Sequence, residues 1–139
     1  MIAVVGATGN TGRAAVKELR ALGENPICIV RNAEKAREVL GTDANVAIAE
    51  VHDRTAMEKA LQGVKRVFVV TGHNPQSGEQ QINVLEAAKA AGAEYIVKVS
   101  GGKAMATVDS DTPVGRGHQA VENAMQRSGL KWVILRPGL

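Results

Sequence analysis

Short runs of apolar residues recur along the chain at intervals of about 20–30 residues, and each run is four residues long. The runs are rich in Val and Ile, and most are apolar at successive positions instead of alternating with polar residues. Strands that are buried on both faces, as in a parallel sheet, have this pattern. The runs predict six strands, at Ile2–Val5, Ile27–Val30, Val46–Ala49, Val67–Val70, Ile96–Val99 and Trp132–Leu135.

The segments between these runs place apolar residues three and four positions apart, which is the spacing of an amphipathic helix. They predict helices at Gly12–Leu22, Glu34–Leu40, Thr55–Leu61, Glu79–Ala91 and Gly117–Ser128. Strand and helix therefore alternate along the chain, which indicates βαβ units with right-handed crossovers. The stretch 101–116 contains three Gly residues and one Pro and predicts a long functional or mobile loop. A length of 139 residues suits a single domain.

Composition and charge narrow the classes of function. Apolar residues make up 45% and charged residues 22% of the chain, as in ordinary folded proteins. The net charge of +3 is spread along the sequence, and only Phe68, Tyr95 and Trp132 are aromatic. A nucleic-acid partner needs a clustered basic surface or a platform of aromatic side chains. We therefore expect no nucleic-acid partner.

Metal-site and membrane signals are equally weak. The single Cys28 excludes an internal disulfide and a Cys-rich zinc site, and we expect it to be a small core residue. His52, His73 and His118 lack the spacing of metal ligands, so no metal is expected. No apolar run reaches the roughly 18 residues of a membrane span, and the first residues do not read as a signal peptide. We therefore expect a cytoplasmic protein without a membrane partner.

A glycine-rich turn directly follows the first predicted strand and precedes the first predicted helix. Its glycines, Gly6, Gly9 and Gly12, are spaced three and three. Residues without a β-carbon permit a sharp turn and the close approach of a diphosphate to the backbone, and a helix amino end supplies partial positive charge. The alternative is a turn with a purely structural role. On the dinucleotide-binding interpretation, the expected cofactor contacts in the turn are Gly6, Thr8, Gly9, Asn10, Thr11 and Gly12.

The end of the second predicted strand bears on the choice of cofactor. An acidic residue there would bind the ribose hydroxyls of NAD, whereas Arg31 offers a planar set of donors to a 2′-phosphate. Arg13 and Lys35 are placed to join it. The sequence therefore predicts NADP(H) as the preferred cofactor, with NAD(H) as a second acceptable one. The competing interpretation is that Arg31 is a solvated residue at a strand end.

Four segments together carry a family resemblance: Gly6–Gly12, Ile29–Asn32, Leu85–Gly92 and Leu135–Gly138. With them the chain resembles, over its full length, the NmrA-like group of atypical short-chain dehydrogenases/reductases. That group includes NAD(P)H-dependent quinone and triphenylmethane-dye reductases. The resemblance implies an α/β Rossmann-type, doubly wound parallel sheet of six strands in the order 3-2-1-4-5-6, with helices on both faces.

The resemblance also carries expectations about length and partners. Relatives generally continue past the Arg-Pro-Gly that ends the sixth strand. We therefore expect residues 1–139 to be the NAD(P)-binding Rossmann domain of a longer protein, without most of the substrate pocket. An exposed apolar face is then expected near the carboxyl ends of the strands. Another chain would cover this face, and a homo-oligomer is one such arrangement.

Further cofactor contacts are implied by the resemblance alone. Glu50 and Val51, after the third strand, should line the adenine pocket, although relatives commonly carry Asp at the first of these positions. Thr71, Gly72 and His73, after the fourth strand, should border the ribose and the nicotinamide.

The catalytic residues are harder to assign. Short-chain dehydrogenases use a Tyr and a Lys four residues apart on a helix, where Lys lowers the pKa of the phenol. Tyr95 and Lys98 are three residues apart in a predicted strand, so this pair is absent. Ser100 and His118 are the candidate catalytic residues, and a strand-end hydroxyl and a loop cap are the structural alternatives. Lys98 in a buried strand needs a partner or a ligand, unless its ammonium group reaches solvent.

These observations predict an NADPH-dependent oxidoreductase that passes hydride to a small electron-poor acceptor such as a quinone or a dye. The alternative is a non-catalytic NAD(P) redox sensor of the NmrA type. A nucleotide-sugar epimerase or dehydratase is disfavoured, because those enzymes rely on the Tyr–Lys pair.

Overall fold

The structure, a computed structural model, describes residues 1–72, 74–101 and 112–137. Strands and helices alternate through these residues. The strands are β1 (Ile2–Val5), β2 (Ile27–Val30), β3 (Val46–Ile48), β4 (Arg66–Val69), β5 (Tyr95–Val99) and β6 (Lys131–Leu135). The helices are α1 (Asn10–Ala21), α2 (Ala33–Leu40), α3 (Arg54–Ala60), α4 (Ser77–Ala90) and α5 (Pro113–Arg127).

The strands form one parallel sheet in the order β3-β2-β1-β4-β5-β6, as predicted. From β1 the chain moves outward through β2 and β3, and then returns to β4 on the other side of β1. The strand order therefore reverses between β1 and β4. In sheets of this kind the carboxyl ends of the strands at the reversal border a crevice in which ligands bind.

Successive residues of β1 face opposite layers of the protein. Val5 belongs to the core cluster that packs against α3, α4 and α5. Val4 belongs to a second cluster with Val16 of α1 and Leu40 of α2. Burial on both faces explains why β1 and β2 read as continuous apolar runs. Cys28 is buried in the second cluster, as expected, and burial raises the pKa of its thiol.

Helix α5 begins at Pro113, four residues before the predicted start at Gly117. The side chain of Thr112 accepts a hydrogen bond from the N–H of Gly115, and proline is tolerated in the first helical turn because its missing N–H needs no partner there. The prediction of a loop over 101–116 is therefore wrong for residues 113–116. Residues 102–111 lie outside the described part of the chain.

Helices α4 and α5 cross at two glycines. A β-carbon at Gly78 would lie 2.7 Å from the Cα atom of Gly117, so the two backbones touch directly. Gly78 is three residues before Gln81, and Gly117 immediately precedes His118. The crossing therefore sets how closely the polar side chains of the two helices approach each other.

An apolar groove of about 550 Å³ lies between α1 and the sheet. Its lining includes Ile2, Arg66 and Tyr95, which begin β1, β4 and β5. This groove is therefore at the amino ends of the strands, and the apolar face expected at the carboxyl ends stays a prediction. Leu135, at the carboxyl end of β6, is 45% exposed. Within the described residues, no helix is both long and apolar enough to cross a membrane.

Candidate functional site

A cleft of about 610 Å³ opens at the carboxyl ends of β1, β2, β3 and β4, at the reversal of strand order. Most of the residues predicted to bind the cofactor line it. These are Gly6, Thr8, Gly9, Asn10, Thr11, Gly12, Arg31, Lys35, Val51, Thr71 and Gly72. Sequence reasoning missed other lining residues, among them Ala49, Val70, Asn74 and Gln80.

The three glycines of the turn have different roles. Gly6 has a φ of +84°, and a β-carbon there would lie 1.8 Å from the carbonyl oxygen of Val70. A β-carbon at Gly12 would lie 1.9 Å from the carbonyl oxygen of Gly6. At Gly9 the nearest atom to an added β-carbon is 3.6 Å away. The fold itself therefore requires glycine at positions 6 and 12, whereas position 9 has room for a methyl group within the protein.

The amino end of α1 faces this cleft. Gly9 is the residue before the helix and carries no side chain that could cap it. Asn10, Thr11 and Gly12 form the first turn of α1 and line the cleft. The first backbone N–H groups of a helix lack partners within it and carry partial positive charge. This end of the cleft is therefore suited to a diphosphate.

Two cations lie on the β2 side of the cleft. Arg31 follows β2, and Lys35 lies in the first turn of α2. The side chain of Asn32 accepts hydrogen bonds from the N–H groups of Glu34 and Lys35, at 2.9 and 3.2 Å. This cap fixes where α2 begins and therefore places Lys35 in the first turn of the helix, at the cleft. Arg31 and Lys35 together can hold an additional phosphate group.

Three other residues predicted to bind the cofactor are placed differently. Arg13 is not part of the cleft lining, and its guanidinium donates to Oδ1 of Asn10 at 3.2 Å. Glu50 is also outside the lining; its side chain is 54% exposed and lies 3.3 Å from Nδ1 of His52. His73 lies outside the described residues. The roles of these three in cofactor binding stay predictions.

The segment after β4 is held by the start of α4. The hydroxyl of Ser77 donates to the carbonyl oxygen of Gly72 at 2.5 Å and accepts from the N–H of Asn74 at 3.0 Å. Gly72 and Asn74 both line the cleft. The position of this wall therefore depends on α4.

A group of buried polar residues, which we call the polar cluster, lies beneath this wall. Its members come from α4, from β5 and the residue after it, from α5, and from the residue after β6. They are Gln81, Lys98, Ser100, His118, Glu122 and Arg136.

Lys98 is at the centre of the polar cluster and is 0% exposed. Its ammonium nitrogen Nζ lies 2.5 Å from Oε1 of Gln81, 2.8 Å from Nδ1 of His118 and 3.3 Å from the carbonyl oxygen of Val99. These three contacts match the three donors of an ammonium group. Burial lowers the pKa of Lys98 to about 8, against the opposing effect of the Glu122 carboxylate.

The Glu122 carboxylate is buried and held by two partners. The hydroxyl of Ser100 donates to its Oε2 at 2.5 Å. The guanidinium of Arg136 contacts both carboxylate oxygens, with 2.9 Å from Nη1 to Oε2. A buried carboxylate needs such pairing, because an unpaired charge in the interior is very costly.

The two candidate catalytic residues are both in the polar cluster and not in the cleft lining. Ser100 is 4% exposed and bonded to Glu122, and His118 is 5% exposed and bonded to Lys98. Their catalytic roles stay predictions. The sequence indicated that Lys98 needs a partner, but it did not identify Gln81 among the polar residues of α4.

A hydrogen bond between Gln81 and Thr71 joins the polar cluster to the cleft. Nε2 of Gln81 donates to Oγ1 of Thr71 at 2.7 Å, and Thr71 is a cleft residue.

Within the described residues, no group of three or more His, Cys, Asp or Glu side chains could hold a metal ion.

Comparison with known proteins agrees with the geometry of the cleft. A family described as NAD(P)H-binding matches residues 6–139. The chain is 33% identical over 138 residues to an NAD(P)H azoreductase of Xenophilus azovorans, and 33% identical over 144 residues to quinone oxidoreductase 2 of Escherichia coli. Each alignment covers 99% of this chain but 48% of the relative, so the chain spans about half the length of these relatives.

Two solved structures with bound cofactor have the same fold. An NADPH-dependent quinone oxidoreductase from Escherichia coli, complexed with NADPH, is 32% identical with a TM-score of 0.87. A triphenylmethane reductase from Citrobacter sp., complexed with NADP(H), is 28% identical with a TM-score of 0.87. The alignments cover 99% and 100% of this chain and 49% and 50% of the solved ones. The expected resemblance to quinone and dye reductases is confirmed.

Proposed function

Because the chain belongs to a family of NAD(P)H-binding proteins, we propose that it is the cofactor-binding half of an NADPH-dependent oxidoreductase. Its substrate is a small electron-poor acceptor, such as a quinone or a dye. The observation that carries the proposal is the cleft, which the glycine turn and the amino end of α1 line together with Arg31 after β2 and Lys35 in the first turn of α2. The acceptor class is suggested by the names of the relatives, of which the chain covers about half.

The residues of the cleft fit NADPH. The N–H groups of residues 10–12 are positioned for the diphosphate, and the room at Gly9 allows its close approach. Arg31 and Lys35 would bind the 2′-phosphate, with the adenine against Val51. Thr71 borders the far end of the cleft, where we place the ribose and the nicotinamide. When bound, the cofactor supplies hydride from C4 of its nicotinamide ring.

The position of Tyr95 supports an acceptor that needs little acid catalysis. Tyr95 begins β5 and pairs with Arg66, the first residue of β4. It therefore lies at the amino ends of the strands, whereas the cleft is at their carboxyl ends. Without a phenol at the cleft, this chain contributes mainly by binding and orienting the cofactor. Quinones and cationic dyes are electron-poor, so they can accept hydride without a phenol beside them.

The test is the oxidation of NADPH followed by absorbance, with the full-length protein and a panel of quinones, azo dyes and triphenylmethane dyes. We expect turnover with at least one acceptor. The Arg31→Ala variant should raise the KM for NADPH and leave the KM for the acceptor close to that of the unchanged protein. Tight NADPH binding without turnover of any acceptor would contradict the enzyme proposal.

A second candidate is an NAD(P) redox sensor that binds the cofactor without reducing a substrate. The burial of Ser100 and His118 favours it, because neither side chain is available to an acceptor in the cleft. A sensor must distinguish the two redox states of its ligand. Unequal dissociation constants for NADP⁺ and NADPH, together with no turnover, would support the sensor; equal constants would exclude it.

A further inference from the structure

Three residues form a hydrogen-bond chain from the protein interior to the cleft: Lys98, Gln81 and Thr71. Nζ of Lys98 lies 2.5 Å from Oε1 of Gln81, and Nε2 of Gln81 lies 2.7 Å from Oγ1 of Thr71. Lys98 and Gln81 are buried, whereas Thr71 is half-buried and lines the cleft. This series of hydrogen bonds thus ends on the hydroxyl group of a residue that lines the cleft.

The direction of this chain follows from the chemistry of its first member. An ammonium group has three donors and no acceptor, so the Gln81 atom that faces Lys98 must be the amide oxygen. The amide NH₂ of Gln81 then faces Thr71 and donates to its hydroxyl oxygen. With Oγ1 already accepting this bond, the hydroxyl hydrogen of Thr71 is free to be donated into the cleft. A charged Lys98 therefore makes Thr71 a hydrogen-bond donor toward the ligand.

We propose that Lys98 is a positioning residue for the dinucleotide: through Gln81 it orients the hydroxyl of Thr71, so that Thr71 donates a hydrogen bond to an oxygen atom of the bound cofactor. The proposal rests on the cofactor site proposed above and does not depend on turnover. It gives the buried lysine a function in binding, although Lys98 itself does not reach the cleft.

The surroundings of Lys98 make this orientation dependent on pH. Lys98 faces Gln81 on α4, His118 and Glu122 on α5, and Arg136 after β6. Burial lowers the pKa of Lys98 to about 8. Once the ammonium loses a proton, its nitrogen can accept a hydrogen bond, and the Gln81 amide is no longer held in one orientation. Cofactor affinity should therefore fall as the pH rises through about 8.

The experiment measures the dissociation constant of NADPH by titration from about pH 7 to about pH 9.5. The affinity of the unchanged protein should fall about fivefold over this range, which corresponds to the usual net contribution of one hydrogen bond. Thr71→Val should lose about fivefold at neutral pH and then show no further dependence. Thr71→Ser keeps the hydroxyl and should restore both the affinity and the pH profile.

Gln81→Glu tests the direction of the hydrogen bonds that lead from Lys98 through Gln81 to Thr71. A carboxylate can only accept hydrogen bonds, so the hydroxyl of Thr71 must donate to it instead of to the cofactor. We expect the same loss of about fivefold as for Thr71→Val. Lys98→Met should also flatten the pH profile. If that variant fails to fold, the substitutions at positions 71 and 81 still decide the question.

A control separates this effect from titration of the cofactor phosphate. The titration is repeated with NADH, and with the Arg31→Ala variant and NADPH. In both cases the affinity should be lower, but the pH at which half of the affinity change has occurred should stay the same. The proposal is overturned by wild-type affinity in Thr71→Val, by a flat profile in the unchanged protein, or by loss of the pH dependence with NADH. Absence of NADPH binding in the unchanged protein would instead contradict the cofactor site itself.

Discussion

The cofactor cleft and the polar cluster are adjacent but are built in different ways. One end of the cleft consists of main chain: a turn with two sterically required glycines and the first N–H groups of α1. The polar cluster consists of side chains that α4, β5, α5 and the residue after β6 bring together. A main-chain site is determined by local sequence, whereas a side-chain cluster exists only after distant elements have packed. The two regions should therefore respond differently to substitution.

The largest effect is expected at Gly12. A β-carbon there would lie 1.9 Å from the carbonyl oxygen of Gly6, so Gly12→Ala must displace the backbone of the turn. We expect a loss of about 3 kcal/mol in the free energy of unfolding, measured with urea. Gly9→Ala is the matched control, because its nearest neighbour is 3.6 Å away. It should change stability by less than about 0.5 kcal/mol but weaken NADPH binding about tenfold.

Equal destabilisation by the two alanines would contradict this division of roles among the glycines. Unchanged NADPH affinity in Gly9→Ala would contradict the placement of the diphosphate at the turn.

The next effect concerns stability and pH in the polar cluster. The pKa of Lys98 is about 8 in the folded protein and near 10.5 when unfolded. Between these values the unfolded chain binds more protons at Lys98, so Lys98 should make stability without cofactor rise with pH, by up to about 3 kcal/mol. The buried Cys28 thiol, whose pKa is raised, acts in the opposite direction in both proteins. Lys98→Met should lack this rise. Urea unfolding of both proteins at several pH values checks it, and parallel curves would show that Lys98 is not the group responsible.

These two predictions separate what the sequence revealed from what it did not. The alternation of strands and helices, the glycine turn and Arg31 were predictable because each depends on local spacing or on a residue directly after a strand. The strand order followed from the family resemblance. The partners of Lys98 were not predictable, because Gln81 and His118 lie on helices whose rotation and crossing depend on tertiary packing. The early start of α5 was missed because the Gly and Pro residues near it resemble a loop, although Thr112 and Pro113 form a recognisable helix start.

A smaller effect is expected where α4 and α5 cross. A β-carbon at Gly78 would lie 2.7 Å from the Cα atom of Gly117, whereas one at Gly117 would lie 3.2 Å from its nearest atom. Gly78→Ala should therefore destabilise by about 2 kcal/mol despite the better helix propensity of alanine. Gly117→Ala should cost less than about 1 kcal/mol. Thermal unfolding of the two variants tests this order, and the reverse order would show that the helices pack differently.

The smallest effect distinguishes two arginines near the cleft. Arg31 lines it, whereas Arg13 is outside the lining and bonded to Asn10. Arg31→Ala should weaken NADPH binding about tenfold and leave NADH binding nearly unchanged, because only NADPH carries the 2′-phosphate. Arg13→Ala should change either affinity by less than about threefold. Dissociation constants for both nucleotides check this, and a larger loss in Arg13→Ala would assign the phosphate to Arg13.

The glycine crossing also has a mechanical consequence. Because no layer of side chains separates α4 from α5 at Gly78 and Gly117, nothing soft lies between them to absorb a displacement. We expect a displacement of α5 to be transmitted to α4, and from there through Ser77 to the carbonyl group of Gly72 at the cleft wall. A change on the outer surface of α5 would then alter the shape of the cleft.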